Sequence, residues 1–577
     1  MTYGYVHAQQ HRPATNYILR IIDQDSGEPV DAAFVYVAKQ YFTPDKYGDI
    51  VIPTSTKLSG NFEIRCLGYT SVMMSVTAIT PGKVCIVRMS ANFNKLKEVI
   101  VSSDKAPITV NAVHKRITSS QIDKALGKTL ASLLEQVSGV SSIQTGTTIA
   151  KPVIQGMYGN RILIINNGVR QAGQQWGDDH APELDMNTSG SIEVVKGADA
   201  VRYGAEVLGG VVVMNNRLLP YRLQDVHGKV SSLYGSNGHR YVLSGYVEGA
   251  VPFARDFAWN IQGTYINGGD RATANYLLNN TGVREKNFSM SLGMDKYRYG
   301  VEAYYSRYDS ETGVMLSAQL GDIDLLKERI AIGYPVQVDP YTRKIIIPKQ
   351  HVVHHLVYGK AYYESDNWGK LSWQISYQAD RRNEYHIRRN NLSHVPGLSL
   401  RLNSLQNQVR WDLDHASWHT RIGAQSIYLN NSNRPGTGVV PVIPNYTEWG
   451  WGIYSIQKYS SGRWNVEAGA RLDFQDTRAD GFDAYGRRYG GHRRFSNFTY
   501  SLGTRYVLSS RWSLTSNMGV AWRAPHVHEL YSNGLEHGSG MYMVGDSTLR
   551  SEQSYKWITS LAYKTDQLRI MLDGYVQ

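Results

Sequence analysis

The residues best equipped for chemistry lie in QAGQQWGDDHAPELD, residues 171–185, where Trp176, Asp178, Asp179, His180, Glu183 and Asp185 crowd together. Carboxylate oxygens and imidazole nitrogens are a donor set suited to Zn²⁺ and other first-row metals. Asp178, Asp179, His180 and Glu183 cannot all reach one ion without a sharply bent backbone. The spacing therefore predicts one or two ligands from this stretch, Asp179 and His180 foremost and Glu183 beside them, completed from elsewhere. AWRAPHVHELYSNG, residues 521–534, offers His526, His528 and Glu529 for that completion. The competing role for His180 is to anchor its own loop by hydrogen bonding. Further histidines, His351, His386, His394, His492 and His537, fall in or beside apparent loops. No nucleophile, base and orienting group can be assigned by spacing, so no enzyme emerges.

A second stretch, SIEVVKGADAVRYGAEVLGGVVVM (191–214), looks like a ligand loop and fails as one. Its glycines, Gly197, Gly204, Gly209 and Gly210, fit neither phosphate-cradling spacing. Glu193, Lys196, Asp199, Arg202 and Glu206 interrupt it too often for a membrane helix, which needs about 18 apolar residues. Its glycines read as structural, placed where backbones approach closely or φ is positive.

The elements that must position these residues fall into three regions. Residues 16–102 carry short apolar runs with Gly and Pro turns, the pattern of a small β-sandwich. From 103 to 220 the character is α+β. TLASLLEQV puts Leu130, Leu133, Leu134 and Val137 on one helical face, and RILIINNGV is a strand closed by an Asn167–Gly168 turn. QAGQQWGDDHAPELD joins RILII to IEVV, so it belongs at a loop apex, with QAGQQWG as a flexible lead-in. From 228 to 577 the period is 2. In WNVEAGARLDF, Trp464, Val466, Ala468, Ala470, Leu472 and Phe474 face one way, and Asn465, Glu467, Arg471 and Asp473 the other. Segments of roughly ten alternating residues fit a transmembrane β-barrel. About fifteen such strands alternate short links with long loops near 308–350, 381–403, 431–448, 475–497 and 524–553. A soluble propeller would repeat every 40–45 residues or so, and no such repeat is visible. The fold class is mostly β.

Composition agrees. With 40 Tyr and 12 Trp against 11 Phe, the chain favours amphipathic rings suited to membrane–water interfaces. The formal charge of +12 permits an acidic membrane surface, but dispersed solvated Lys and Arg explain it without nucleic acid. The basic runs RRNEYHIRR and GRRYGGHRR suit anionic chelates or lipopolysaccharide. Cys66 and Cys85 make no disulfide scaffold, and two unpaired thiols are expected.

TLASLLEQVSGV, KPVIQGMYGNRILIINNGV and SIEVVKGADAVRYGAEVLGGVVVM, in that order, resemble the plug domain of TonB-dependent outer-membrane receptors. The motif positions are Gly156, Gly168, Glu193, Lys196, Gly197, Tyr203, Gly204, Gly209 and Gly210. Gln155 and Asn167 depart from the family, which usually has Arg and Asp there. AWRAPHVHELYSNG and STLRSEQSYKW resemble the family's barrel signature, with Ser551 at the usual Pro position. DQDSGEPVDAAFVYV with GNFEIRCLGYTSVMMSV resembles the carboxypeptidase-regulatory-like domain that Bacteroidetes-type receptors carry.

The resemblance implies a 22-stranded barrel, of which 228–577 would be the N-terminal part, around the plug of 103–220. It also implies a periplasmic N-terminal domain and an outer-membrane location. Cargo would be a metal ion or metal chelate (ferric siderophore, haem or zinc), with no resident cofactor. The partner would be the TonB energy-transducing complex, which pulls on a short segment. LKEVIVS resembles that segment at Leu96, Glu98, Val99 and Val101, and reads equally as a last sandwich strand. The alternatives are a receptor of the same class for a non-metal nutrient, a porin or adhesin, or a cell-surface glycan-active protein. Residues 1–15, with VHA before Gln9, resemble the remnant of an export signal.

Overall fold

The computed structural model describes residues 16–89 and 112–577, apart from 316–322, 537–540 and scattered shorter gaps. The export-like segment and the coupling residues Leu96, Glu98, Val99 and Val101 lie outside the described residues.

Residues 16–89 form two small sheets. Asp49–Ile52, Tyr17–Asp23 and Val84–Met89 make one; Gln40–Phe42, Phe34–Val37, Asn61–Arg65 and Val72–Ser75 make the other. Leu19, Ile21, Ile50 and Ile52 from the first share a buried core with Val35, Phe62 and Ile64 from the second. Cys66 and Cys85 are not joined in a disulfide. The unit rests on the short-turn end of the large sheet. There the Tyr47 hydroxyl donates to Asp295, and Arg255 donates to the Gly82 carbonyl at 3.0 Å.

A five-stranded sheet follows, ordered Val169–Arg170, Ile162–Asn166, Gly210–Asn216, Ser189–Gly197 and Ala112–Thr118. Thr129 caps the helix Leu130–Leu134, its hydroxyl accepting from Ser132 N at 3.2 Å. Leu130, Leu133, Leu134 and Val137 are buried against the sheet, the face that the helical spacing selects. Asn167 and Gly168 both have positive φ (55° and 81°), the conformation an Asn-Gly hairpin turn needs. The paired glycines have a packing reason. A Cβ on Gly209 would lie 2.8 Å from Met157 Cβ, and one on Gly210 would lie 2.7 Å from the Val195 carbonyl oxygen.

The remaining strands form one 15-stranded antiparallel meander from His227–Gly235 to Arg569–Val576. Its first and last strands each pair on one side only. Alternation decides which face is which. In Trp464–Phe482, Glu467, Arg471 and Asp473 are buried, while Trp464 and Leu472 are half exposed. Charge on a lipid-facing position would cost about 2–4 kcal/mol at the midplane, and the inner wall takes it instead. Aromatic pairs mark the short-turn rim: Tyr363–Trp368, Trp418–Tyr459, Trp464–Tyr506 and Trp512–Tyr563. Such girdles sit where bilayer meets water. Among the described residues no helix is long and apolar enough to cross a membrane.

Long connections collect at the opposite end, at 314–348, 386–397, 434–444 and 524–551. The expected loop at 475–497 is not one. Trp464–Phe482 and Arg488–Val507 continue their ladder up to a five-residue turn, because backbone pairing persists after side-chain alternation fades. GRRYGGHRR therefore starts in a hairpin turn and runs down its second strand. His351 and His492 are strand residues, bonded to Asp309 and Asp476 respectively.

Candidate functional site

The apex of the five-stranded unit is the connection from Val169–Arg170 to Ser189–Gly197, and it projects toward the long-loop end of the wall. The described residues of QAGQQWG make specific contacts there. Gln171 and Gln174 are buried, Gln174 donates to Asn431 at 2.7 Å, and the Trp176 indole donates to Gln174 at 2.8 Å. The inner wall supplies partners that the sequence alone does not display.

His180 is fully buried, and its ring has a defined tautomer. Nδ1 lies 2.5 Å from the Gln174 carbonyl oxygen, an atom that can only accept, so Nδ1 carries the proton. Nε2 then turns a lone pair toward Glu384 Oε1 at 2.7 Å and Asp179 Oδ1 at 3.4 Å. Neither Nε2 nor Asp179 Oδ1 has a hydrogen-bond partner among the described residues. The other Asp179 oxygen accepts from Gln350 at 2.6 Å. One imidazole nitrogen and two carboxylate oxygens converge, a donor set that could hold a cation. Electrostatics agrees. Burial, then the neighbouring Arg382, lowers the His180 pKa to about 4, leaving the ring neutral. Burial pushes Asp179 up to about 6 against the pull of His180.

Glu183 belongs to a second group, with His354 and Asp380. His354 Nδ1 stands 3.4 Å from Glu183 Oε2 and 3.9 Å from Asp380 Oδ1. Arg382 ties the groups together, donating to Glu183 at 2.8 Å and Gln350 at 3.0 Å while lying 3.5 Å from Glu384. Burial opposes ionisation of Glu183, but the His354 hydrogen bond and Arg382 outweigh it and hold its pKa near 2.

His526, His528 and Glu529 are not among these ligand atoms. They start the short helix Val527–Tyr531, where Glu529 accepts from His526 N at 2.8 Å and His526 Nδ1 from His528 N at 3.2 Å. Arg523 grips Glu529 through two bonds of 2.6 and 2.7 Å. Burial lowers the pKa of His526 to about 3 and of His528 to about 4. The helix approaches the apex through Trp176, which stacks on His528 at 5.9 Å and meets His180 edge-on at 4.9 Å. Asp185 turns away, accepting from Asn187 N at 2.9 Å. Asp178 lies outside the described residues.

The wall residues Gln350, His354, Asp380, Arg382 and Glu384 are absent from the sequence-derived set. Their signal was present in YQADRRNEY, where Asp380, Arg382 and Glu384 recur at every second position, opposite Tyr377 and Arg381. RRNEYHIRR reads there as a basic loop, although its first five residues are strand.

The other motif positions support the seat of the plug. Lys196 Nζ donates to the Ser138 carbonyl at 2.8 Å, and Asn215 donates to Glu193 at 3.4 Å. Gly197 ends its strand opposite Ala112. At Gly204, whose φ is +98°, a Cβ would lie 3.0 Å from the Arg471 guanidinium, beside the cavity that Tyr203 helps to line. Gln155 accepts from Lys556 of the wall at 2.7 Å, and the Asn167 carbonyl from Gln374 at 3.1 Å.

Two family models match this chain: the TonB-dependent receptor plug domain over residues 103–211, and the TonB-dependent receptor-like β-barrel over residues 224–577. The chain belongs to the TonB-dependent receptor family. That family comprises outer-membrane receptors and transporters, not enzymes. Among curated relatives, the vitamin B12 transporter BtuB of Photobacterium profundum is 22% identical over 486 residues, 82% of this chain and 66% of the relative. The chain thus spans just under two thirds of that relative's length. A hemin receptor of Yersinia pestis is 34% identical, but over only 19% of this chain and 16% of its own. Solved structures share the fold at 15% identity. The copper transporter OprC has TM-score 0.64, covering 80% of this chain and 71% of its own. The Serratia marcescens hemophore receptor HasR, in complex with its hemophore HasA and heme, has 0.63, covering 81% and 72%.

Proposed function

We propose that this TonB-dependent receptor imports a metal ion or metal chelate across the outer membrane. The carrying observation is the convergence of His180 Nε2, Asp179 Oδ1 and Glu384 Oε1, two of them lacking hydrogen-bond partners among the described residues, where the plug apex meets the wall. The donor set favours a first-row divalent ion. Cargo enters from the long-loop side, and Trp176 with the helix Val527–Tyr531 covers it. His526, His528 and Glu529 then belong to the cover, while Glu183 joins the contacts from below. Relatives named for copper, heme and vitamin B12 keep a second reading in view, a nutrient other than a metal; two B12 transporters match over 486 and 430 residues.

The rest of the machinery follows the family. The TonB complex supplies energy by pulling on Leu96, Glu98, Val99 and Val101. The unit of 16–89, on the short-turn end, fits a periplasmic carboxypeptidase-regulatory-like module of Bacteroidetes-type receptors. Fifteen strands with two unshared edges support a barrel closed by further strands, since bacterial barrels normally have an even number. The test is cellular uptake of single metals. Asp179→Ala with His180→Ala should abolish both surface binding and uptake of the cargo metal. Val99→Pro with Val101→Pro should abolish uptake alone. Unchanged uptake by the first variant would overturn the metal reading.

A further inference from the structure

Beneath the Asp179–His180–Glu384 group, the inner face of Gly369–Tyr385 carries Arg382 and then Asp380. Asp380 lies four residues from Glu384, about 13 Å along an extended strand. Both Asp380 oxygens are buried without a hydrogen-bond partner among the described residues, although the residue is only 4% exposed. Beside the carboxyl group of Glu183, ionising Asp380 there is costly unless a cation meets both. Arg382 does not donate to it; its described bonds go to Gln350, Glu183 and Glu384.

The neighbouring imidazole is oriented for the same purpose. Gln378 Nε2 donates to the Arg170 carbonyl at 2.9 Å, and Gln378 Oε1 accepts from Ala172 N at 3.0 Å. The amide is therefore fixed, with its oxygen 3.2 Å from His354 Nε2. That oxygen only accepts, so Nε2 donates to it, and Nδ1 faces Glu183 and Asp380, where a cation would displace the proton that Glu183 accepts in the ion-free protein. The Gln171 amide nitrogen donates to the Glu183 carbonyl at 3.0 Å and stands 3.3 Å from Nδ1 and 3.4 Å from Nε2, so a cation at Nδ1 replaces only a long contact. An imidazole whose second nitrogen is held by an acceptor is the usual state of a metal-ligating histidine. In a tetrahedral zinc site with bonds near 2.0–2.1 Å, donor atoms sit about 3.3 Å apart. Separations of 3.4 and 3.9 Å from Nδ1 to the two carboxylates need only a small closure.

We propose that Glu183, His354 and Asp380 form a second divalent-cation site, one step deeper along the plug–wall seam than Asp179, His180 and Glu384. The inference rests on the metal reading of the upper group. Arg382 stands between the two, paired with Glu183 and close to Glu384, so a cation moving inward exchanges its carboxylates with the guanidinium. The deeper site receives cargo from the upper one. Below it the seam is made of neutral amides, Gln374 and Gln378 on plug carbonyls, and then a cavity of about 490 Å³ at the level of Tyr203, Glu302 and Lys360.

The test is equilibrium dialysis of the purified, detergent-solubilised receptor against Zn²⁺, with metal content measured by mass spectrometry. Wild type is expected to hold two buried ions per chain. Asp380→Asn, which removes a charge at constant shape, should hold one. Asp179→Ala with His180→Ala should also hold one, and all three substitutions together none. Each lost site should weaken by at least about a hundredfold. His354→Gln repeats the deep-site test should Asp380→Asn fold poorly, and thermal unfolding checks both. One ion in wild type that Asp380→Asn leaves in place, but the Asp179/His180 variant removes, would overturn the deeper site and spare the upper one. Zinc-free wild type would overturn both.

Discussion

Two histidine-bearing regions meet across Trp176, and they use their imidazoles in opposite ways. In the helix Val527–Tyr531, His526 and Glu529 satisfy helix-end N–H groups and Arg523 neutralises Glu529. In the plug–wall seam, His180 and His354 each spend one nitrogen on an acceptor and aim the other at two carboxylates. The first is a closed network, and the second leaves Asp179 Oδ1 and both Asp380 oxygens without partners among the described residues. Proximity of histidine and carboxylate in sequence therefore does not distinguish a cap from a ligand site. The partner of the second ring nitrogen does.

The largest expected effect comes from Arg382→Ala. It strips the buried Glu183 of its 2.8 Å partner and should cost about 3–5 kcal/mol, the usual penalty for breaking one side of a buried pair. Thermal unfolding of the purified receptor measures it, and added Zn²⁺ should recover part of the loss. A change below the error of the melt would mean that the seam is not electrostatically held. Glu529→Gln should cost less, about 1–2 kcal/mol, through the weakened cap and the charge-assisted bonds from Arg523. Hydrogen exchange in 524–536 should rise while metal affinity stays within about threefold. A larger fall in affinity would make Glu529 a ligand and erase the contrast between the regions.

The smallest effect is in pH. Burial raises the Asp179 pKa to about 6, so ionising it destabilises the ion-free fold progressively between its ordinary range near 4 and pH 6. A bound cation must displace that proton. Affinity should therefore climb by up to about tenfold per unit as pH rises toward 6, then level off. His180, held near 4, stays neutral through most of that window and contributes its own loss only below about pH 5. Calorimetry in buffers of different ionisation enthalpy reads the released proton directly. Affinity flat from pH 5 to 7 would remove Asp179 from the site.

Much of the fold was legible because it obeys short-range rules. Period-2 alternation marks the strands, the 3.6 period marks Leu130, Leu133 and Leu134, and Asn167–Gly168 marks its turn. The candidate site was legible by half. Asp179, His180 and Glu183 stand out because they are close in sequence, whereas Glu384 lies 204 positions from His180 and His354 lies 171 from Glu183, and they join them through insertion of the plug. Nothing local separates Asp380, Arg382 and Glu384 from an exposed charged run until the register of Gly369–Tyr385 turns them inward. The hairpin around 483–487 escaped for the reverse reason: its strands continue on backbone bonds after their side-chain pattern has become mostly polar.

The most direct test of the central claim is the affinity of the purified receptor for first-row divalent ions with and without Asp179 and His180. Titration calorimetry of wild type should detect a buried site, and Asp179→Ala with His180→Ala should weaken it by at least about a hundredfold while the melting curve remains cooperative. A folded double variant that binds every such ion as tightly as wild type would contradict the account, and would leave His180 as an anchor of the plug loop.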